Sequence, residues 1–389
     1  MLSVFCAPLR YVQGAGAMRQ LGAEMVAVGL EGPALIVAGA TPIARLAPIW
    51  AAALDELGID YRVRLFGGES SRREIVAIVE EARNLGARTI VAAGGGKVLD
   101  AGRSAAASLR LPFVSCPTIC STDAPTSALS VIYADTGPER GSVEDYEIHR
   151  RSPDLVLVDT RVIAESPPRL FAAGIGDAMS TWYEARASAT AGRPNMRGGR
   201  STLAAMELAR LCRDTVLADG EAALAECRAG QAGPRLERVV EAATLLSGLG
   251  FESAGLAAAH AVHNGLTAIA DTHASLHGEK VAFGTLVQLV LESNAATDAA
   301  VRETTLAETR NVAAFLVRVG LPVTLGQLGV GAENAESLAA AVRRIAVRAT
   351  QPGETVHNMP FPVDVAGVAA AIQAADALGQ AALRASASG

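Results

Sequence analysis

The chain carries six histidines, and four of them, His260, His263, His273 and His277, fall in one short stretch. Neutral imidazole is a common metal ligand, so this clustering is the first chemical signal. His260 and His263 are three residues apart in AAAHAVHNG, which puts both on one face of a helix. His277 opens the next helical pattern, HGEKVAFG, and Asp177 stands at the start of another in GIGDA. Two imidazoles and one carboxylate leave coordination positions open for water or substrate, as a catalytic metal site requires. Spacing alone does not choose between His260 and His263. HExxH and CxxC motifs are absent, which argues against a zinc peptidase or a zinc ribbon.

The second signal is AAGGGKVLD, residues 92–100, where a buried apolar run ends in three glycines and a helix begins. Glycines let the backbone approach an anion closely, and free N–H groups at a helix start attract phosphate. Val98 follows Lys97 where a Walker A loop needs Ser or Thr, so the run reads either as a different pyrophosphate cradle or as a plain βα turn with flexible glycines. The third is PTICSTDAPTSALSVIY, residues 117–133, dense in small hydroxyls and with Asp123 as its one acid. Such a loop either contacts a ribose, phosphate or carboxamide, or satisfies its own backbone. Gly14-Ala15-Gly16, with no strong strand before it, and Gly174-Ile175-Gly176, ahead of a helix, read as turns.

The elements that must position these groups follow from periodicity. Strands are expected at 34–38, 61–65, 89–93, 112–116 and 155–158, alternating with helices at 43–57 and 75–85. That alternation predicts a parallel sheet covered on both faces. After Pro167-Pro168 the periodicity is helical almost throughout, with helices expected at 176–188, 201–216, 234–249, 254–270 and 280–293. The expected organisation is an α/β nucleotide-binding domain over residues 1–165 and an all-α domain over 166–389 that supplies metal and substrate binding.

Composition agrees. Half of the 389 residues are hydrophobic and 19% are charged, enough for a sizeable core. Aromatics are only 4%, so Ala, Leu, Val and Gly must do the packing in closely spaced helices. A net charge of −6 without a Lys/Arg run argues against a nucleic-acid partner. Five scattered cysteines argue against a disulfide framework and for a reducing, cytoplasmic compartment. No run of about 18 apolar residues suggests a membrane span.

The strings GGGKVLD, PTICSTDAPTSALSVIY, GIGDAMSTWYEARA, GFESAGLAAAHAVHNGLTAI, HGEKVAFGTLVQLVLE and ETVHNMP together resemble the glycerol dehydrogenase branch of the iron-containing alcohol dehydrogenases. That family shares its fold with dehydroquinate synthase. The likeness runs nearly the whole chain, in order. It implies an NAD-dependent, metal-dependent oxidoreductase that oxidises the secondary hydroxyl of glycerol or a similar vicinal diol to the ketone. It implies a divalent metal, Zn2+ in this branch, on Asp177, His260 and His277, with His263 nearby. It implies NAD contacts from Gly94, Gly95, Gly96, Lys97, Asp100, Thr118, Ser121, Ser127, Leu129 and Tyr133, and places Asp123 at the diol. A homo-oligomer, often an octamer, is implied as well.

The chain departs from the family pattern in places. Gly39 or Ala40 stands where relatives commonly carry an acid for the adenosine ribose, which would weaken NAD binding or relax the preference towards NADP. Cys116 and Cys120 replace smaller, less reactive residues, and the 193–200 loop carries Arg193, Arg197 and Arg200. Two other readings compete. Those arginines would suit a dehydroquinate synthase-like lyase acting on a phosphorylated substrate, and the missing acid would suit a non-catalytic binding protein of the same fold.

Overall fold

A computed structural model describes residues 1–136, 142–330 and 335–387. Strand β1 (Arg10–Gly14) and helix α1 (Leu21–Ala27) lead into β2 (Ala34–Ala38), α2 (Ala40–Asp55), β3 (Tyr61–Leu65), α3 (Arg72–Leu85), β4 (Thr89–Gly94), α4 (Gly96–Leu109) and β5 (Phe113–Pro117). A hairpin of β6 (Leu129–Tyr133) and β7 (Val143–Ile148) precedes β8 (Leu155–Asp159) and α5 (Thr160–Ala164). Then come α6 (Pro168–Thr190), α7 (Leu203–Arg228), α8 (Pro234–Glu241), a π-helical turn (Ala242–Leu246) and α9 (Ser247–Ala254). The described chain closes with α10 (Ala258–Thr267), α11 (His277–Ala295), α12 (Ala299–Arg318), α13 (Ala335–Ala349) and α14 (Val365–Ala387).

The chain divides into two compact units. One holds Cys6–Phe171 with Ala225–Gly248; the other holds Met1–Phe5, Ala172–Leu224 and Leu249–Gly389. The first is α/β and the second is helical, as the periodicity predicts. The stretch Ala225–Gly248 belongs to the α/β unit although its own pattern is helical.

In the α/β unit six parallel strands run in the order β1-β8-β5-β4-β2-β3. Each residue of β2, ALIVA, is buried, so the strand reads as an unbroken apolar run. Ala34, Ile36 and Ala38 join Trp50 and Leu54 of α2 in the core on one face. Leu35 and Val37 join Ile78 of α3 and Leu99 of α4 in the core on the other. From β2 the chain goes out through α2 to β3, then back past β2 to β4. The order reverses between β2 and β4, where Ala38 pairs with Ala93. Open parallel sheets bind ligands at the carboxyl ends of strands at such a reversal. Gly39 and the Gly94-Gly95-Gly96 run lie at those ends.

Several boundaries differ from the sequence expectation. Strand β1 runs into Gly14-Ala15-Gly16 and ends at Gly14; it is a half-buried edge strand whose sequence has little apolar contrast. The β6–β7 hairpin is antiparallel and separate from the main sheet, its first strand hidden in the hydroxyl-rich run. Gly174-Ile175-Gly176 is no turn but lies inside α6, which begins eight residues earlier than the pattern suggested, at Pro168. Helix α2 starts at Ala40, three residues before the periodic run, and carries Pro48 in its interior. The helix expected at 254–270 is interrupted at Gly255, whose φ of +106° only glycine adopts readily.

Helix α14 is the one described helix long and apolar enough by itself to cross a membrane. It is part of the helical unit: Asp376 accepts the Leu325 N–H at 2.7 Å, and a Cβ at Gly379 would sit 1.8 Å from the Val323 carbonyl oxygen.

Candidate active site

Helices α6 and α11 touch backbone to backbone. A Cβ at Gly278 would sit 1.8 Å from the Ala173 carbonyl oxygen, and one at Gly176 would sit 2.5 Å from that of Gly278. Each glycine adjoins a site residue, Asp177 on one helix and His277 on the other. The glycines of GIGD and HGEK therefore bring these two side chains together. Asp177 is 1% exposed, and its Oδ1 lies 3.2 Å from His277 Nε2 and 3.7 Å from His260 Nε2. One ligand atom from each of Asp177, His260 and His277 falls within 4.8 Å of the others. Donors about 2.1 Å from a tetrahedral ion stand about 3.4 Å apart, so the set fits a divalent metal.

His260 is fixed by groups that no motif announced. Glu184, on α6 two turns beyond Asp177, is fully buried and accepts from His260 Nδ1 at 2.6 Å. A carboxylate only accepts here, so Nδ1 carries the proton and Nε2 keeps its lone pair for a metal. The other Glu184 oxygen takes the N–H groups of Ala257 and His260 at 2.9 and 3.0 Å. Gln288 of α11 takes those of Ala258 and Ala259 at 3.0 and 3.1 Å. Helix α10 has no capping side chain of its own, so these two residues satisfy its first N–H groups and set its position. Only the seven-residue spacing of Asp177 and Glu184 in GIGDAMSTWYEA hints at the arrangement.

His263 lies one turn further along α10, its ring centroid 4.2 Å from that of His277 and 6.3 Å from that of His260. Burial, with His277, Lys280 and His260 alongside, holds its pKa well below the usual range, so the ring is neutral. Its Nδ1 lies 3.1 Å from Asn264 Oδ1.

The glycine run of the α/β unit has no left-handed residue. Gly95, the N-cap of α4, is extended at φ −83°, ψ −178°. Crowding favours glycine there: a Cβ at Gly94 would sit 2.6 Å from the branched Val98 side chain, and one at Gly95 would push the Ile119 tip, 2.7 Å away, aside. Lys97 pairs with Glu69 at 2.7 Å and lies over the Tyr133 ring, 4.8 Å from its centroid. Burial, then Asp100, pushes the Tyr133 hydroxyl pKa up, so it stays protonated. Asp100 is buried and bound to Arg103 at 2.7 Å and to the Val131 N–H at 3.2 Å. Arg103 also donates to the carbonyls of Ala124 and Leu129, so this pair ties the hydroxyl-rich loop and β6 to α4. Thr118 donates its N–H to the Gly94 carbonyl at 3.0 Å. Ser127 is buried, with its hydroxyl 3.4 Å from the Leu129 N–H, and Ser121 is half-buried. Asp123 accepts the Ser247 hydroxyl at 2.8 Å.

Cys116 is fully buried, and burial pushes its thiol pKa up, so it is inert despite its place beside the glycine run. In the 193–200 loop Arg197 lies 3.6 Å from buried Glu252, while Arg193 and Arg200 are exposed. Asn195 organises that loop, donating to the carbonyls of Val4 and Ser253 and accepting from the N–H groups of Arg197 and Gly199.

Residues 8–160 match the sequence profile of the iron-containing alcohol dehydrogenases. The chain is 44% identical over 380 residues to glycerol dehydrogenase of Citrobacter freundii, covering 98% of this chain and 99% of that one. The chain belongs to the iron-containing alcohol dehydrogenase family. It is also 43% identical over 380 residues to glycolaldehyde reductase of Halobacterium salinarum, covering 98% and 99% of the two chains. Among solved structures it resembles glycerol dehydrogenase from Schizosaccharomyces pombe, at a TM-score of 0.89 and 34% identity, with 99% of this chain and 93% of that one covered.

Proposed function

We propose that this family member oxidises the secondary hydroxyl of glycerol, yielding dihydroxyacetone, with NAD as hydride acceptor and one divalent ion, Zn2+, on Asp177, His260 and His277. The carrying observation is the convergence of those three side chains in a chain that is similar over its full length to glycerol dehydrogenases. When bound, the ion supplies Lewis-acid polarisation of a substrate hydroxyl, and the nicotinamide supplies the hydride acceptor. Asp177 contributes the negative charge, and Glu184 keeps His260 in its ligating tautomer. The Gly94–Gly96 backbone and the start of α4 cradle the pyrophosphate; Lys97, Asp100, Thr118, Ser121, Ser127, Leu129 and Tyr133 form the surrounding wall. Asp123 orients the diol through hydrogen bonds. On this reading the α/β unit, Cys6–Phe171 with Ala225–Gly248, binds the nucleotide, the helical unit holds the metal, and the enzyme works as a cytoplasmic homo-oligomer. The test is NADH formation from glycerol by the zinc-loaded protein. No turnover of any small diol with either nucleotide would refute it.

The second reading is reduction of glycolaldehyde, favoured by the Halobacterium salinarum relative. It needs the same metal and nucleotide in the reverse direction. Comparing kcat/KM for glycolaldehyde with NADH against that for glycerol with NAD separates the two. The intact metal ligands argue against a non-catalytic protein, and the relatives named above are oxidoreductases rather than lyases.

Gly39 sets a testable nucleotide preference. It is the N-cap of α2, extended at φ −71°, ψ 166°. A Cβ there meets only Pro42 Cδ, at 3.7 Å, so an acid fits. Gly39→Asp is expected to raise the NAD-to-NADP ratio of kcat/KM by about tenfold, since the carboxylate accepts from ribose hydroxyls and repels a 2′-phosphate. Capping α2 adds a few tenths of a kcal/mol, about 0.3, of stability. Parallel kinetics with the two nucleotides check this, and an unchanged ratio would show that the position does not face the ribose.

A further inference from the structure

We infer that the π-helical turn Ala242–Leu246, with Ser247 behind it, is a positioning device for the Asp123 carboxylate; this rests on the reading of Asp123 as the group that meets the diol. An α-helix pairs each carbonyl with the N–H four residues on, whereas a π turn reaches five and displaces the helix face locally. Here the Ser247 N–H bonds the Ala242 carbonyl, five residues back. Such turns are rare inside α-helices and frequently lie at functional sites.

What this turn achieves is visible in its contacts. The Thr244 carbonyl accepts the Thr126 hydroxyl at 2.9 Å. The Thr244 hydroxyl is held by the Val240 carbonyl at 2.6 Å and lies 2.8 Å from the Tyr11 hydroxyl of β1. Ser247 donates to Asp123 Oδ2 at 2.8 Å. Gly248 lets the loop lie directly on the helix: a Cβ there would sit 1.9 Å from Thr126 Oγ1 and 3.0 Å from the Asp123 carbonyl oxygen. Thr126, Thr244 and Ser247 are all buried. One helical turn therefore holds the loop three residues past Asp123, the Asp123 backbone and the Asp123 carboxylate. A regular α-helix through the same residues would rotate Ser247 and Gly248 relative to Thr244 and lose this joint grip. Ser247 is thus a positioning residue acting through Asp123, and it lies in the Ala225–Gly248 stretch of the α/β unit, the unit that also holds Asp123.

The test is a double-mutant cycle on the zinc-loaded enzyme. Ser247→Ala is expected to lower kcat/KM for glycerol about tenfold, expressed in the glycerol KM, with the NAD KM unchanged. Placed on Asp123→Asn, it is expected to add no further loss. Wild-type glycerol kinetics in Ser247→Ala, or the same tenfold loss repeated on Asp123→Asn, would overturn the inference. Should Ser247→Ala fail to fold, Thr126→Val is expected to give the same glycerol-selective loss, and unchanged kinetics there would overturn it equally. If Asp123→Asn itself keeps full glycerol turnover, the reading of Asp123 fails and takes the positioning role with it. Loss in Asp123→Asn with none in Ser247→Ala removes the positioning role alone.

Discussion

Asp177→Ala is expected to fold, to bind no metal and to lose about 1,000-fold in kcat/KM for glycerol. The carboxylate is the one anionic member of the ligand set and is 1% exposed. Without it two neutral imidazoles face the cation, and a neutral pair holds a divalent ion far more weakly than a charged triad. Lewis-acid stabilisation contributes several kcal/mol, and each 1.4 kcal/mol is tenfold in rate, which sets the magnitude of about 1,000-fold. Stability should move differently. In metal-free protein a buried carboxylate is costly, so Asp177→Ala should melt close to the metal-free parent. A large excess of metal, about 1,000 times its Kd, should stabilise the parent by about 4 kcal/mol and the variant hardly at all. Thermal melts with and without metal, run beside the kinetics, check both halves. Near-normal turnover in Asp177→Ala would remove the metal from the mechanism.

Glu184→Gln tests the support beneath the ligands. A Gln oxygen can still accept the N–H groups of Ala257 and His260, so the start of α10 stays in place. Its amide NH2 then faces His260 Nδ1, which must become an acceptor, and the ring proton moves to Nε2. That is the wrong tautomer for a ligand. The expected result is a loss of about 10- to 100-fold in metal affinity, with glycerol turnover recovering at high metal concentration. Loss of the buried charged bond costs about 1–3 kcal/mol of stability. Metal titration of activity separates this from a general defect. Parent-like metal affinity would show that Glu184 does not set the tautomer.

Much of this was legible in the sequence because it depends on short-range pattern. The apolar runs of β2 and β4, both fully buried, point to a covered parallel sheet, and residues 89–99 show a glycine run between strand and helix. Asp177, His260 and His277 stood out because few residue types ligate metal. The choice between His260 and His263 was not local. On the proposed reading it rests on Glu184 and Gln288, which fix the start of α10 from two other helices. Ser247 was equally silent, because its role arises only where a π turn meets a loop more than a hundred residues away. Strand β1 and the β6–β7 hairpin escaped notice because half-buried, solvent-edged strands lack contrast.

The most direct measurement is metal content against turnover in one titration. The protein is stripped with chelator, Zn2+ is added back stepwise, and NADH formation from glycerol is followed at each step. Metal-dependent catalysis requires no turnover in stripped protein, a linear rise, and a plateau at one ion per chain. Full glycerol turnover in metal-free protein would contradict it.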